Sequence, residues 1–271
     1  EAMASINPRL VYASISGFGQ TGPYRDRPAH DLSYQALAGF LHAQAATRST
    51  QLPSDIAVGD LSSGMFAALG VLAALLARAR TGKGAYIDVS MTDGLVSWMS
   101  VMVGPAMNGE PLADIAAEPA YGLFECQDGK LLSLSIAHED WFWRPLCTLI
   151  GMEDVADLKR AQRTRREVEL VARIGKAIAA APRAQWADKL DAAGIPWGPV
   201  SAIDEVAADP HFIERGLFGE VADSDGRRRR YVAQPLIIDG HHPGPTRGVP
   251  GLGEHTEEVL SELSLRAQNK T

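Results

Sequence analysis

Apolar and polar positions alternate between two periods along this chain, and the switches between them mark its elements. Leu10–Ile15 is a short β-rich run between Pro8 and Gly17, which predicts a buried strand. Ser16–Pro23 follows as a glycine-rich loop, and Leu32–Phe40 reads as a helix with Asp31 at its N-cap. His42–Pro53 is polar and reads as an exposed loop. The run Ile56-Ala57-Val58 predicts a second strand, closed by a tight turn at Gly59-Asp60 and followed by a long apolar helix from Met65 to about Arg80. Thr81–Gly84 supplies basic charge and glycine for the end of that helix, and Ala85–Met91 is a further strand. Thr92-Asp93 then caps a helix through Leu95, Val96 and Trp98. Strand and helix alternating in this way predict parallel crossovers in a doubly wound sheet.

The pattern changes after Gly104. Residues up to Pro119 are rich in Pro, Gly and Ala and read as a linker or lid. Leu123–Cys126 and Leu131–Ile136 flank Asp128-Gly129, the signature of a β-hairpin. A helix carrying Trp141, Phe142, Trp143 and Leu146 follows, then the basic stretch Lys159–Arg166, expected as a solvated helix face. Glu167–Ala181 and Arg183–Ala193 are amphipathic helices, and Gly194–Val200 reads as a stiff connector with two prolines. Phe218–Val221 and Arg229–Pro235 predict two strands around a turn at Asp223–Gly226, and Thr256 is the expected N-cap of a final helix.

Composition adds bounds. The chain has 271 residues, 46% hydrophobic and 22% charged, which is ordinary for a globular fold. A net charge of −7 argues against nucleic acid as the main partner, and the four arginines Arg227–Arg230 are too few and too close to a turn to reverse that. Cys126 and Cys147 have no metal or redox spacing and read as reduced residues of a cytoplasmic protein. The longest apolar run, Met65–Leu76, is interrupted by Gly70 and is shorter than a membrane span. Residues 1–8 read as the end of a helix, so a preceding segment is expected.

Two residues draw chemical attention. Asp60 lies on the turn before the long helix, where Asp commonly caps. The same helix N-terminus would hold a carboxylate ionised for nucleophilic attack. His30 sits one residue before the Asp31 cap, and a lone histidine there is more often a structural hydrogen-bonder than a catalyst. The Gly17-Phe18-Gly19 loop brings backbone N–H groups forward, although this spacing is also that of an ordinary turn.

Several stretches together resemble the family III CoA-transferases of the CaiB/BaiF type, which also include the α-methylacyl-CoA racemases. They are Asn7–Gly19, His30–Gly39, Gly59–Met65, Thr81–Gly84, Asp88–Asp93, Gly194–Val200 and Leu252–Thr256. The resemblance implies an α/β fold: a Rossmann-like large domain, incomplete at its N-terminus, a smaller α+β domain, and an interlocked homodimer. It places residues 1–110 in the large domain, 111–215 in the small domain, and 216–271 back in the large domain. It implies coenzyme A, carried as an acyl-CoA substrate, with a carboxylic acid as acceptor, and neither a metal nor a membrane. In the transferases the residue matching Asp60 attacks the thioester, and in the racemases those matching His30 and Asp60 shuttle the α-proton. Ser16, Gly17 and Phe18 would lie along the CoA and Met91 near its pantetheine arm. The Gly59–Met65 and Gly194–Val200 stretches resemble the transferase form. Asn108–Pro111 lacks the glycine run that many transferases carry as a lid.

Overall fold

The structure is a computed structural model and describes residues 2–47, 56–111, 118–223 and 225–268. Contacts divide it into two units, residues 1–121 and 122–271. The first contains α1 (Ala2–Ile6), β1 (Val11–Ser16), α2 (Asp31–Leu37), α3 (Phe40–Thr47), α4 (Val58–Thr81), β2 (Ala85–Ser90), α5 (Met91–Trp98) and α6 (Ser100–Met107).

β1 and β2 pair in parallel, with Val11 opposite Ala85 and Ser16 opposite Ser90. The crossover between them carries α2, α3 and α4, as parallel pairing requires. Side chains alternate across this pair. α4 packs on one face, where its Gly70 lies against Ile87, so that a Cβ there would stand 3.2 Å from Ile87 Cγ2. The other face shows Tyr12 stacked on Tyr86 at 5.8 Å, both of them exposed. Beyond the strands' carboxyl ends, Tyr34, Ala38 and Leu95 form a small core, against which Phe18, Ala29, Val58 and Met91 pack.

Several expected boundaries move. Val58 is already helical, so the described residues 56–58 form no strand directly before Asp60, and Asp55 lies outside the described residues. Val58 is drawn into the core between α2 and α5, which outweighs the β preference of a three-residue apolar run. The expected Leu32–Phe40 helix is split by Gly39, whose φ of +80° is left-handed. α3 occupies Phe40–Thr47, where a loop was expected from His42, and the rest of that loop is outside the described residues. α4 runs for 24 residues and is long and apolar enough by length and composition to cross a membrane, contrary to the expectation from Met65–Leu76 alone. Gly70 fails to interrupt it because the neighbouring Leu and Ala residues are strong helix formers. One side packs on β1, β2 and α5. Leu61, Met65, Leu69, Leu72 and Leu76 form an exposed apolar stripe on the unit's surface.

The second unit contains β3 (Tyr121–Glu125), β4 (Leu131–Ser135), α7 (Asp140–Leu149), α8 (Arg160–Arg165), α9 (Glu167–Ile178), α10 (Arg183–Ala192), β5 (Trp197–Pro199), α11 (Ile203–Ala208), α12 (Pro210–Glu214), β6 (Phe218–Ala222), β7 (Arg228–Val232) and α13 (Thr256–Gln268). The expected hairpin is β3–β4, with Gly129 at φ +74° in its turn. The Gly194–Val200 connector contributes a strand as well: β5 pairs antiparallel with β4, Leu132 opposite Pro199. Pro199 tolerates this because β5 is the edge of the three-stranded sheet. α9 buries Leu170, Ile174 and Ile178, one face of a helix at four-residue spacing. The basic stretch departs from expectation at Arg163, which is fully buried and pairs with Asp140 at 2.5 Å. β6 and β7 form a separate hairpin whose arginines are engaged locally, Arg228 with Glu220, Arg229 with Asp223 and Asp225, and Arg230 over Phe218.

Candidate functional site

Asp60 occupies the first turn of α4. It is therefore not the cap of a helix beginning near Ser62. The local N-cap is Ala57, which has no side chain able to accept a hydrogen bond. The first N–H groups of any α-helix lack partners within it. Here they are met from a distance. Asp31 Oδ1 accepts from Gly59 N at 2.7 Å and from Asp60 N at 3.2 Å. Asp31 is consequently not the cap of its own helix: His30 holds that position in extended backbone, with no side-chain capping bond. The Asp31 charge instead lies at the positive end of the α4 dipole.

The remaining groups of this turn are fixed from the other side. Ser63 Oγ donates to Asp60 O at 2.8 Å, and Ser62 Oγ donates to Gly59 O at 3.0 Å. Both serines are buried and small enough for α5 to approach, as Gly94 does against Phe66 and Ser62. The Asp60 side chain itself is exposed. Its backbone is held by neighbours while its carboxylate points free, the arrangement a nucleophile or a proton carrier needs.

His30 is exposed and adjoins Asp31 in sequence, so the Asp31 bridge brings His30 and Asp60 to the same end of the unit. Phe18 reaches this end too, edge-on to Tyr34 at 5.3 Å. Met91 packs against the same core. Gly17 lies under the Tyr34 ring, so closely that a Cβ would stand 2.5 Å from Tyr34 Cε1. Its carbonyl accepts from Thr92 N at 3.1 Å and Thr92 Oγ1 at 2.8 Å. Ser16 closes β1, and its Oγ is buried without a hydrogen-bond partner among the described residues. The six residues singled out from the sequence thus gather where β1 and β2 end and α4 begins.

Four residues build this end in roles that sequence reasoning did not assign to them. Gly59 leaves room for the Asp31 carboxylate, and Asp31 caps a helix 28 residues away. Gln35, fully buried, donates through Nε2 to Asp31 Oδ2. Tyr34 donates to Ala29 O at 2.8 Å. Burial first, and then the charges of Asp60 and Asp31, push the Tyr34 phenol above its ordinary value and keep it protonated. The one available signal was Gly59 itself, a glycine directly before a candidate acid.

A cleft of about 770 Å³ lies elsewhere, between α1 and the tyrosine face of the strands, and is lined by Met3, Leu10, Tyr12, Gln20 and Tyr86 but neither by Asp60 nor by His30. Its open apolar walls explain its size, and it lies apart from the strand ends where Asp60 and His30 gather. Among the described residues no group of three or more His, Cys, Asp or Glu is placed to hold a metal ion.

Known proteins resemble the chain over nearly its whole length. An acetyl-CoA:oxalate CoA-transferase of Acetobacter aceti is 35% identical over 97% of this chain and 69% of its own length. The α-methylacyl-CoA racemase of Homo sapiens is 29% identical over 98% of this chain and 70% of its own length. The crystal structure of a CaiB/BaiF family protein from Brucella suis matches with a TM-score of 0.81 at 26% identity, covering 97% of this chain and 70% of that one. The chain thus spans about seven-tenths of each of these proteins. The model of CoA-transferase family III matches residues 1–256, and with an exposed acid on a capped helix at the strand ends, the chain belongs to that family.

Proposed function

We propose that this chain transfers CoA from an acyl-CoA to a carboxylic acid, with Asp60 as the covalent nucleophile. The observation that carries the reading is the exposed Asp60 carboxylate on the first turn of α4, whose backbone is fixed by Asp31. An Asp60 oxygen attacks the thioester carbonyl carbon, the C–S bond breaks, and CoA leaves as thiolate. The product is a mixed anhydride on Asp60. The thiolate then attacks the Asp60 carbonyl, releasing the donor as a carboxylate and leaving an aspartyl-CoA thioester. The acceptor carboxylate repeats these two steps in reverse order, takes the CoA, and restores Asp60.

The strand ends fit an acyl-CoA. Open parallel sheets bind ligands at their carboxyl ends. There Ser16 Oγ is buried without a partner among the described residues, as a ligand's polar group would require. Ser16, Gly17 and Phe18 would line the CoA and Met91 its pantetheine arm. The wider reading assigns residues 1–110 and 216–271 to a large domain and 111–215 to a small one, in an interlocked homodimer. The exposed apolar stripe on α4 supports an assembly of two chains, since burial would remove it from water. Packing of α4 on β1 and β2 through Gly70 favours a core helix over a membrane span. The free, buried Cys126 and Cys147 accord with a cytoplasmic protein.

The test is mass spectrometry after incubation with acyl-CoA and hydroxylamine. A hydroxamate on Asp60 is expected, and an Asp60→Ala variant with full transferase activity would sink the reading. A second reading, racemisation of a 2-methylacyl-CoA by His30 and Asp60, draws on the exposed His30 beside Asp31. It requires deuterium uptake at the α-carbon without any acceptor acid.

A further inference from the structure

We propose that Asp31 and Gln35 are a pair of positioning residues that fix Asp60 for its chemistry, an inference that rests on Asp60 being the nucleophile. Each link is a hydrogen bond in the structure. Gln35 Nε2 donates to Asp31 Oδ2 and contacts Ile56 O at 3.4 Å. Asp31 Oδ1 accepts from the N–H groups of Gly59 and Asp60. One buried amide therefore joins the residues just before α4 to the carboxylate that caps it.

The α2 helix explains only half of this pair. Gln35 stands one turn after Asp31 in α2, so their bond lies within that helix, whereas Asp31 Oδ1 leaves it to serve α4. Gln35 is 0% exposed, and its Oε1 has no hydrogen-bond partner among the described residues. A leucine would fill that volume without leaving a polar atom unsatisfied. What the glutamine adds is a donor aimed at Asp31 Oδ2. That donor restricts rotation of the carboxylate and keeps Oδ1 on the α4 N–H groups. Ala57 offers no substitute cap. Without Asp31 the first turn of α4 would fray, and Asp60 is in that turn. A displacement of about 1 Å at a reacting group costs on the order of 10²-fold in rate.

The effect should therefore appear in kcat. Asp31→Ala is expected to lower kcat by about 10²-fold while KM for the acyl-CoA stays within about twofold. Asp31→Asn keeps an accepting oxygen and is expected to recover most of that loss. Gln35→Leu should lower kcat by about tenfold, again without raising KM. All rates are divided by the fraction of enzyme that forms the Asp60 hydroxamate in one exhaustive labelling, so a merely less stable protein reads as unchanged. Wild-type kcat per labelled site in Asp31→Ala, or a loss that Asp31→Asn does not recover, overturns the proposal. If Asp31→Ala does not fold, Gln35→Leu decides, and wild-type kcat there overturns it. Asp60→Ala is assayed alongside: if it is active, the nucleophile reading fails, whereas an inactive Asp60→Ala beside an unimpaired Asp31→Ala removes this inference alone.

Discussion

Gly59 and Asp31 meet so closely that no side chain fits between them: a Cβ on Gly59 would stand 2.8 Å from the Asp31 Oδ1 that accepts its N–H at 2.7 Å. The same Cβ would stand 3.2 Å from Leu95 Cδ1. Gly59→Ala therefore forces either the capping carboxylate or the core leucine to move. Overpacking of this kind costs about 1–3 kcal/mol, and loss of a cap about 1 kcal/mol. The expected outcome is a lower urea midpoint together with a lower kcat, because the turn that shifts carries Asp60. A Gly59→Ala protein with wild-type stability and rate would show that the cap tolerates displacement.

Gly17 poses a similar test without a charge. Its missing side chain admits the Tyr34 ring, whose Cε1, Oη and Cζ would lie 2.5–2.7 Å from a Cβ. Gly17→Ala is expected to destabilise by about 1–3 kcal/mol. Tyr34→Phe on that background should give no relief, since the ring remains, whereas Tyr34→Leu should recover part of the loss. A double-mutant cycle by chemical denaturation measures the coupling. Additive effects for Gly17→Ala and Tyr34→Leu would refute the contact.

These two glycines show where sequence reading reached and where it stopped. The strands at 10–15 and 85–91 were legible because both are β-rich runs bounded by Pro or Gly, and the hairpin was legible from Asp128-Gly129. The first strand is not the buried one expected, however, since no residue of Val11–Ser16 is buried and Tyr12 and Ile15 are exposed. Val58 was misassigned because its partners, Tyr34 and Leu95, come from other elements. Trp197–Pro199 looked like a connector because two prolines hide a strand whose pairing with β4 depends on a sheet edge. Asp60 stood out as an acid before an apolar helix. Its actual cap did not, since a bond spanning 28 residues leaves no periodic trace. The sequence placed Asp31 as a cap on the right grounds and gave it the wrong helix.

Glu205 predicts how the second unit responds to acid. It accepts from Lys130 Nζ at 2.7 Å and from Arg183 Nη2 at 2.8 Å, and its Oε2 accepts from Ala202 N at 3.0 Å. The Lys130 bond first, then that of Arg183, holds its carboxyl down from 4.5 to about 2. A depressed folded-state pKa contributes stability that is fully present above the unfolded value. That contribution is lost as pH falls from 4.5 towards 2. Glu205→Gln should therefore denature earlier than wild type at pH 7, and the gap should close on acidification through this window. Thermal melts at pH 7, 4 and 2.5 check it, and a gap independent of pH would exclude Glu205 as the source.

Arg163 and Asp140 give the sharpest asymmetry. The Arg163 side chain is 1% exposed and lies over the Trp143 ring at 5.2 Å, while Asp140 remains 38% exposed. Hydrogen bonding to Arg163 is the largest cause holding the Asp140 carboxyl below its ordinary value, with Lys159 at 3.3 Å adding to it. Removing Asp140 takes a carboxylate away from a cation in the core, whereas removing Arg163 leaves an acid that water and Lys159 still reach. Uncompensated buried charges cost about 3–5 kcal/mol, and buried pairs replaced by apolar groups of like volume are often near neutral. Asp140→Ala is thus expected at or below the lower end of that range, because Arg163 keeps its other contacts, among them bonds to Leu158 O at 3.3 Å and Ala137 O at 3.4 Å. Arg163→Met should cost less than half as much, and the double variant less than Asp140→Ala alone. Urea denaturation of the three proteins measures this order, and an Arg163→Met protein less stable than Asp140→Ala would show that packing on Trp143, not the charge, is what the guanidinium contributes.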